Sequence, residues 1–346
     1  MSYQIGKDAL NLRPTPRLAH TEYCSNERLK CAVTGMTPED PGLEREFYRR
    51  WDIDFIWSTP GPPVSWEARG RTTDMGHAEF LEGGTDWRPP KHCPFESAED
   101  VWSFDAVAEY GLEDHAELVR YYEGLYQKAR REYPEQVWTG GYYQTIYSGA
   151  IQAFGWDMLL LAASDMTRFA RVLDSFYRYT LHQYEAWAET NIEFFMCHDD
   201  MVWTQGPFMR PEFYRAEVFP RYKALWDVMH KAGKKVIYTS DGDYLMFVDD
   251  LVEAGVDVLC FEPMTAMEPV VAKYGQTHGI ISSKVDARTL TFGSKAQIAA
   301  EVDATVALAP QCRGLMVAVG NHIPSNVPVE SAVYYMDYLR ERWARP

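Results

Sequence analysis

The amino-acid sequence predicts an α/β protein built as a single (β/α)8 barrel, or TIM barrel, over residues 1–346, with an N-terminal extension and a long insertion. Five apolar runs in the second half each precede a segment of helical periodicity, and three weaker runs in the first half raise the strand count to eight. No GxGxxG motif follows the first strand, which argues against a doubly wound nucleotide-binding sheet. No repeat or linker divides the chain, so we expect one domain.

The first half contains the weaker elements. Apolar character predicts strands over 18–23, 53–58 and 137–142. Helical periodicity predicts helices over 113–133, 146–163 and 167–190. Between the second and third strands, residues 59–96 are rich in Gly and Pro and predict a long insertion that contains a hairpin.

The second half alternates clearly between strands and helices. The predicted strands cover 191–197, 235–239, 256–261, 279–285 and 314–319. The predicted helices cover 211–232, 243–254, 267–274, 294–308 and 329–343. Pro211 suits the first turn of its helix, and Gly233, Gly255 and Gly275 suit helix ends. Runs this apolar are typical of parallel strands that are buried on both faces.

The composition argues against several kinds of partner. The chain has 34 Lys and Arg residues against 50 Asp and Glu residues, which gives a net charge of −16. Such acidity repels phosphate backbones and anionic lipids, so we expect neither a nucleic-acid nor a membrane partner. The N-terminus lacks a signal-peptide pattern, and no apolar run approaches the roughly 18 residues of a membrane span. The six cysteines form no CxxC pair, so the sequence predicts a cytoplasmic protein.

Polar residues gather where the predicted strands end. In a TIM barrel these carboxyl ends form the active-site face. The candidate residues there are His198, Asp199, Asp200, Asp241, Glu262, Asp286, Asn321 and His322. The aspartates also suit helix caps, and Ser240-Asp241-Gly242-Asp243 also suits a turn. If the carboxylates lie together, a cation, a proton or a basic side chain such as Lys284 or Arg288 must offset their repulsion.

Aromatic residues make up 14% of the chain and belong either to the core or to a pocket. Tyr142 and Trp203 lie just beyond predicted strands, so we expect them to form walls of the site. Aromatic walls of this kind favour a flat or methylated ligand.

Several ordered motifs occur between residues 192 and 330. They include His198-Asp199-Asp200-Met201, Gly206-Pro207, Pro211-Glu212-Phe213-Tyr214, Ser240-Asp241-Gly242, Glu262-Pro263 and Gly320-Asn321-His322-Ile323-Pro324. This set resembles the uroporphyrinogen decarboxylase superfamily, which also contains corrinoid- and thiol-directed methyltransferases. The resemblance implies a TIM barrel, in agreement with the strand count.

The departures from the superfamily pattern exclude some of the functions found in the superfamily. Its zinc methyltransferases carry a His-x-Cys pair after the fifth strand and a Cys after the eighth, where this chain has Thr239, Asp241 and Asn321. Zinc would therefore need non-thiolate ligands, for which Asp241, Glu262 and His322 are the candidates. The Arg-rich N-terminal motif of the porphyrinogen decarboxylases is also missing, and so acidic a chain suits a polyanionic tetrapyrrole poorly.

Without the thiolate site and the Arg-rich motif, the resemblance implies a methyltransferase of the demethylase type. Such an enzyme component moves a methyl group from a small donor to a corrinoid-binding partner protein. The donor is expected to be O- or N-methylated, for example an aryl methyl ether. Asp241, Glu262 and His322 are expected to be catalytic, by binding the metal or by protonating the leaving group. The residues expected to position the donor are His198, Asp199, Asp200, Asp286 and Asn321, together with Tyr142 and Trp203.

Two alternatives stay open. A cofactor-free decarboxylase of a small carboxylic acid predicts a cationic residue, such as Arg288 or Arg210, that faces the substrate. A non-enzymatic protein that binds a corrinoid or tetrapyrrole needs no acid group. The oligomeric state is open as well, a homodimer included.

Overall fold

In the part of the chain that the structure describes, eight parallel strands form the wall of a barrel. The computed structural model describes residues 2–73, 79–80, 86–87 and 92–345. In chain order the strands are β1 (Ala19–His20), β2 (Phe55–Ile56), β3 (Val137–Trp138 and Gly140–Tyr142), β4 (Phe194–His198), β5 (Lys235–Thr239), β6 (Val258–Phe261), β7 (Gly279–Asp286) and β8 (Gly314–Gly320). The predicted (β/α)8 barrel is confirmed, although β1 and β2 are shorter than predicted. Their carboxyl ends share one face, which we call the mouth.

Hydrogen bonds connect each strand to its neighbours around the barrel. Seven strands form one parallel sheet in the order β1-β8-β7-β6-β5-β4-β3, and β2 pairs with β3. The remaining seam lies between β1 and β2. There the N–H of Asp54 donates to the carbonyl of His20 at 2.8 Å, and the Thr21 hydroxyl donates to the carbonyl of Phe55 at 2.8 Å. These two bonds close the barrel.

Asp54 is the centre of this seam. Its carboxylate accepts two hydrogen bonds from the guanidinium of Arg17, at 2.6 and 2.8 Å, and one from the N–H of His20 at 2.8 Å. Its backbone carbonyl accepts a hydrogen bond from the N–H of Val137 at 3.0 Å. Because Asp54 is fully buried, its charge would be costly without the guanidinium. One residue thus ties β1, β2 and β3 together.

The strands separate two apolar layers. Side chains such as Phe55, Met196, Ile237 and Met316 fill the barrel interior. The second layer lies between the strands and the helices. It contains the largest fully buried side chains of the described residues, which are Trp51, Trp66, Trp187, Trp226, Tyr122, Tyr142, Tyr147, Tyr179, Tyr184, Tyr214, Tyr222 and Tyr238. Most of the aromatic content therefore belongs to the core.

The N-terminal extension is a helix, Ser2–Leu10, that closes the end of the barrel opposite the mouth. Ala9 and Leu10 join the interior layer, and Lys235 Nζ donates to the carbonyl of Leu10 at 3.3 Å. The helix lies so close to the seam that a Cβ on Gly6 would be 2.5 Å from the carbonyl oxygen of Asp54. Only glycine permits this approach.

Helices cover the outside of the barrel. The predicted ones occur at His115–Glu132, Tyr147–Ala162, Met166–Ala188, Pro211–Phe213 with the π-helical Tyr214–Val218 and Phe219–Lys231, Val248–Ala254, Glu268–Tyr274, Lys295–Val306 and Val329–Arg340. The prediction missed Glu27–Thr34, Leu43–Arg50, Ala98–Trp102, Ala106–Tyr110 and Ala287–Phe292, and the 3-10 turns Trp66–Ala68 and Ala309–Gln311. The first part of the helix predicted over 243–254 is a 3-10 turn, Leu245–Phe247. Gly155, with φ +70° and ψ 168°, interrupts the helix that was predicted as continuous over 146–163.

The predicted insertion, 59–96, is described in part. Glu79–Phe80 pairs antiparallel with Asp86–Trp87, in agreement with the predicted hairpin. Residues 74–78, 81–85 and 88–91 lie outside the described residues. The buried ring of Trp66 anchors the insertion by stacking on Tyr110, with the ring centroids 4.3 Å apart.

Within the described ranges, no helix combines the length and the apolarity that crossing a bilayer requires.

The seam predicts a large stability effect at Asp54. Asp54→Ala leaves the Arg17 guanidinium, whose side chain is only 14% exposed, without its carboxylate, so we expect the free energy of unfolding, measured by urea denaturation, to fall by about 3–5 kcal/mol. The control is Glu46→Ala, which removes an exposed carboxylate that pairs with Arg49 and Arg50 and should change stability little. Equal effects of the two substitutions would show that Asp54 does not hold the barrel closed.

Candidate functional site

A histidine and two aspartates meet at the mouth, beyond β4 and β5. His198 is the last residue of β4, and Asp200 follows it by two positions. Nε2 of His198 lies 3.1 Å from Oδ1 of Asp200, and the backbone N–H of Asp241 donates to the same oxygen at 2.9 Å. The side chains of His198 and Asp200 are 20% and 15% exposed. The structure thus brings these three predicted residues together in a half-buried position.

A chain of hydrogen bonds crosses the mouth from β3 to the residues after β8. The Tyr143 hydroxyl donates to Oδ2 of Asp200 at 3.2 Å, and Asn321 Nδ2 donates to Oδ1 of Asp241 at 3.1 Å. Nδ1 of His322 donates to Oδ1 of Asn321 at 2.7 Å. Asn321 has φ +62°, a left-handed conformation that asparagine tolerates better than most residues. The carboxylates therefore have fixed orientations.

The charges of His198 and Asp200 stabilise each other. Burial by itself lowers the pKa of the His198 imidazole, but the charge and hydrogen bond of Asp200 outweigh burial and raise it. Burial favours the neutral form of Asp200, yet His198, the N–H of Asp241 and the Tyr143 hydroxyl together lower its pKa. The ring of Tyr143 lies edge-on to His198, with the centroids 4.4 Å apart. An imidazolium–carboxylate pair is therefore favoured here.

Glu262 adds a third carboxyl group to the mouth. It follows β6 directly and accepts a hydrogen bond from the backbone N–H of Asn321. Burial, followed by the charges of Asp241, Asp286 and Asp200, raises the pKa of Glu262 to about 8. A carboxyl group whose pKa is raised this far can act as a general acid near neutral pH.

Asp286 and Trp203 lie nearer the rim of the mouth. Asp286 is the last residue of β7, and its carboxylate accepts hydrogen bonds from the backbone N–H of Arg288 at 2.8 Å and from Nη2 of the same residue at 2.6 Å. Trp203 belongs to a short hairpin in which Val202–Trp203 pairs with Gly206–Pro207, and it is 45% exposed. A Cβ atom on Gly242 would lie 2.5 Å from the carbonyl oxygen of Trp203. The hairpin therefore covers the loop that carries Asp241.

Two predicted site residues point away from the mouth. Tyr142 is fully buried in the layer between strands and helices, with its hydroxyl 3.4 Å from Oε1 of Gln144. Asp199 is also fully buried, and it accepts hydrogen bonds from the N–H of Ser148 at 2.6 Å and from the Tyr222 hydroxyl at 2.5 Å. The structure does not bring these two side chains into the cluster with His198, because neighbouring residues of a strand face opposite sides and the sequence did not show which side was inward.

The group of residues that could bind a metal ion also differs from the predicted group. Within the described residues, the only three His, Cys, Asp or Glu side chains whose candidate ligand atoms lie within 4.8 Å of one another are His198, Asp200 and Asp241. The predicted set of Asp241, Glu262 and His322 shares one member with it. The amide of Asn321 lies between Asp241 and His322 and bonds to both, which explains why these two do not converge.

Sequence reasoning left two aromatic residues out of the site. Tyr143, rather than Tyr142, contacts His198 and Asp200. Trp57 packs against the barrel interior beyond β2, and its Nε1–H donates to the Thr21 hydroxyl at 2.5 Å. A known inward direction for Phe55 would have predicted Trp57, because residues two apart share a face.

The sequence match to a known family covers the histidines and carboxylates of the mouth. The family model of uroporphyrinogen decarboxylase (URO-D) matches residues 146–342. The chain belongs to the uroporphyrinogen decarboxylase family. The matched range of this family member includes β4 to β8 and therefore every carboxylate described at the mouth. No curated protein sequence matches the chain.

Solved structures with similar folds include a methyltransferase from Methanosarcina mazei, with 15% identity, a TM-score of 0.64 and coverage of 99% of both chains. A B12-independent methionine synthase from Shewanella sp. W3-18-1 has 9% identity and a TM-score of 0.45 over 95% of this chain and 96% of the other. A putative vitamin-B12 independent methionine synthase from Listeria monocytogenes has 12% identity and a TM-score of 0.40 over 66% and 70%. At this identity, the likeness to the first shows a shared fold.

The two neighbouring aspartates of the URO-D family member should behave differently on substitution. Asp199→Ala leaves buried donors on Ile146, Ser148 and Tyr222 without their acceptor, so we expect the free energy of unfolding to fall by about 3 kcal/mol. Asp200→Ala removes a half-buried group at the mouth and should cost less. Urea denaturation of both variants measures the difference, and the reverse order would contradict the assignment of Asp199 to the scaffold.

Proposed function

We propose that this member of the uroporphyrinogen decarboxylase family is a methyltransferase that removes a methyl group from a small methyl ether and transfers it to a corrinoid protein. Family membership and the shared fold with a methyltransferase from Methanosarcina mazei support an enzyme of this kind. The feature that carries the proposal is the carboxyl group of Glu262, whose pKa burial and the neighbouring carboxylates of the mouth raise to about 8.

An ether is the donor that needs this proton. The oxygen of a methyl ether leaves as an alkoxide or phenoxide unless it is protonated in the transition state, whereas a quaternary methylammonium leaves as a neutral amine. A general acid at Glu262 therefore favours O-methylated over N-methylated donors.

The other charged residues near Glu262 favour a neutral methyl donor over a substrate that carries a carboxylate group. Asp200, Asp241 and Asp286 surround Glu262 closely enough to raise its pKa. Of the two cations that a decarboxylase site would use, Arg288 pairs with Asp286 and its side chain is 72% exposed. The other, Arg210, is exposed. Neither placement supports a buried cation for a substrate carboxylate.

Aromatic side chains line the same mouth. Tyr143 and Trp57 are half-buried, and Tyr23 and Trp203 are exposed at the rim. The Tyr23 ring lies 5.6 Å from that of His322. Flat faces of this kind suit an aryl methyl ether, because stacked rings gain contact area and their offset quadrupoles attract.

The residues of the chain would act in a simple order. The donor binds between the aromatic side chains with its ether oxygen toward Glu262. The corrinoid on the partner protein supplies the nucleophile that accepts the methyl group. As the carbon–oxygen bond breaks, the Glu262 proton moves to the leaving oxygen, and an alcohol or phenol is released. Glu262 then regains a proton from water, which Asp200 and Asp241 promote by their charge.

The direct test is demethylation by Glu262→Gln. Wild-type protein is incubated with a reduced corrinoid protein and a panel of methoxylated aromatic compounds, and the released phenols are quantified. We expect Glu262→Gln to lower kcat by about 100-fold or more on ethers and much less on a quaternary methylammonium. Glu253→Gln, an exposed carboxylate on an outer helix, is the matched control and should keep the wild-type rate.

Other outcomes of the same assay would overturn the proposal. Release of carbon dioxide from small carboxylic acids, without demethylation and without a corrinoid protein, would identify a decarboxylase. Tight binding of a corrinoid with no turnover, unchanged in Asp241→Asn and His322→Ala, would identify a binding protein.

The raised pKa of Glu262 also predicts a pH dependence. On chelator-treated protein, the demethylation rate should fall as the pH rises through about 8, because the acid form is lost. The stability of the folded protein also decreases as the pH rises. Above the ordinary pKa of 4.5, the folded protein still holds a proton that the unfolded chain has released, so stability decreases until the pH passes about 8.

Glu262→Gln removes this stability loss. The variant should therefore be more stable than the wild type at pH 9, by an amount on the order of 3 kcal/mol, and similar to it near pH 4. Thermal unfolding at both pH values measures the effect. An equal difference at both values would show that Glu262 is ionised in the folded protein at neutral pH.

A further inference from the structure

The thiolate zinc site that the superfamily resemblance implies does not fit this chain. Its three positions correspond to Thr239, Asp241 and Asn321, which contain no thiolate. In the structure the Asn321 amide donates to the Asp241 carboxylate, so these side chains hold each other by a hydrogen bond of 3.1 Å. An amide and a carboxylate are harder donors than two cysteines.

We propose that the mouth instead binds a divalent cation through Nε2 of His198 and the carboxylates of Asp200 and Asp241. The imidazole comes from the adjacent strand: Thr239, which stands where the superfamily has its histidine, is paired in register with His198 across β5 and β4. The candidate ligand atoms of the three residues lie within 4.8 Å of one another. This inference does not depend on which donor is demethylated.

Two neighbours outside the set support the ligands. The Tyr143 hydroxyl bonds to Oδ2 of Asp200, and Asn321 Nδ2 bonds to Oδ1 of Asp241. Metal ligands in proteins are commonly oriented by partners of this type. His198 and Asp200 are mostly buried while Asp241 is exposed, so the cation would be held from the barrel side and remain open to water or substrate on the other side.

The donor set predicts the kind of cation. One imidazole and two carboxylates provide a nitrogen and hard oxygen atoms, which suit Mn²⁺ and other first-row divalent cations without requiring sulfur. The two negative charges also match a divalent cation, which would take the place of the direct contact between Nε2 of His198 and Oδ1 of Asp200, now 3.1 Å apart. When bound, such a cation would supply positive charge beside the leaving oxygen.

The test measures Mn²⁺ binding to chelator-treated protein. Electron paramagnetic resonance detects the Mn²⁺ that remains free at each concentration. We expect saturable binding of one Mn²⁺ per chain. Asp241→Asn and His198→Gln should each weaken it by at least about tenfold. Glu253→Gln is the matched control, since it removes an exposed carboxylate on an outer helix, and its affinity should stay within about threefold of wild type.

Circular dichroism and thermal unfolding confirm that each variant is folded, and His198→Gln and Asp241→Asn test the set independently. Absence of saturable binding by folded wild-type protein overturns the proposal. So does unchanged Mn²⁺ affinity in both Asp241→Asn and His198→Gln, because the ligands would then be different.

Co²⁺ substitution tests whether the metal is bound without a cysteine thiolate. The Co²⁺ protein should show visible d–d absorption without the intense thiolate charge-transfer absorption of a cysteine-bound metal. Appearance of that absorption would mean that a cysteine binds the metal and would overturn the assignment. None of these measurements uses methyl transfer, so failure of the cation site and failure of the proposed activity are distinguishable.

Discussion

The hydrogen-bonded ion pair between Asp54 and Arg17 is the interaction on which the rest of the barrel depends. β1 and β2 are two residues long and do not pair as a ladder, so the seam between them relies on Asp54, which bonds to Arg17, to β1 through His20 and to β3 through Val137. A buried pair of this kind adds little net stability, but it fixes one arrangement because removal of either partner is costly. A closed barrel in turn brings the ends of β4, β5, β6 and β8 to one mouth.

The pleat of the strands then decides which side chains the mouth receives. Along β4, Phe194, Met196 and His198 alternate with residues that face the helices, so Asp200 continues the inward series and Asp199 does not. Asp199 instead joins β4 to the helix Tyr147–Ala162 by accepting from Ser148. Two adjacent aspartates therefore have different roles: Asp199 is structural and Asp200 faces the site.

This alternation also marks the limit of what the sequence could predict. The fold was predictable because strands buried on both faces consist mainly of apolar residues, as in 236–238 of β5 and Gly314–Gly320 of β8. The same uniform apolarity hides the inward direction, so Tyr142 and Asp199 were indistinguishable from Tyr143 and Asp200. The rule that active sites follow strand ends located the right regions. It could not show that the Asn321 amide lies between Asp241 and His322, since that depends on a contact between distant loops.

The crowding of negative charge at the mouth links the two proposals. Asp200, Asp241 and Asp286 raise the pKa of Glu262, so part of the repulsion is relieved by a proton on Glu262 and part by the imidazole of His198. A divalent cation on Asp200 and Asp241 would relieve the same repulsion and would therefore lower the pKa of Glu262. Protonation of Glu262 and cation binding are thus competing solutions to one electrostatic constraint. Both place positive charge or a proton at the point where an ether oxygen would leave, and neither suits a substrate that brings another carboxylate.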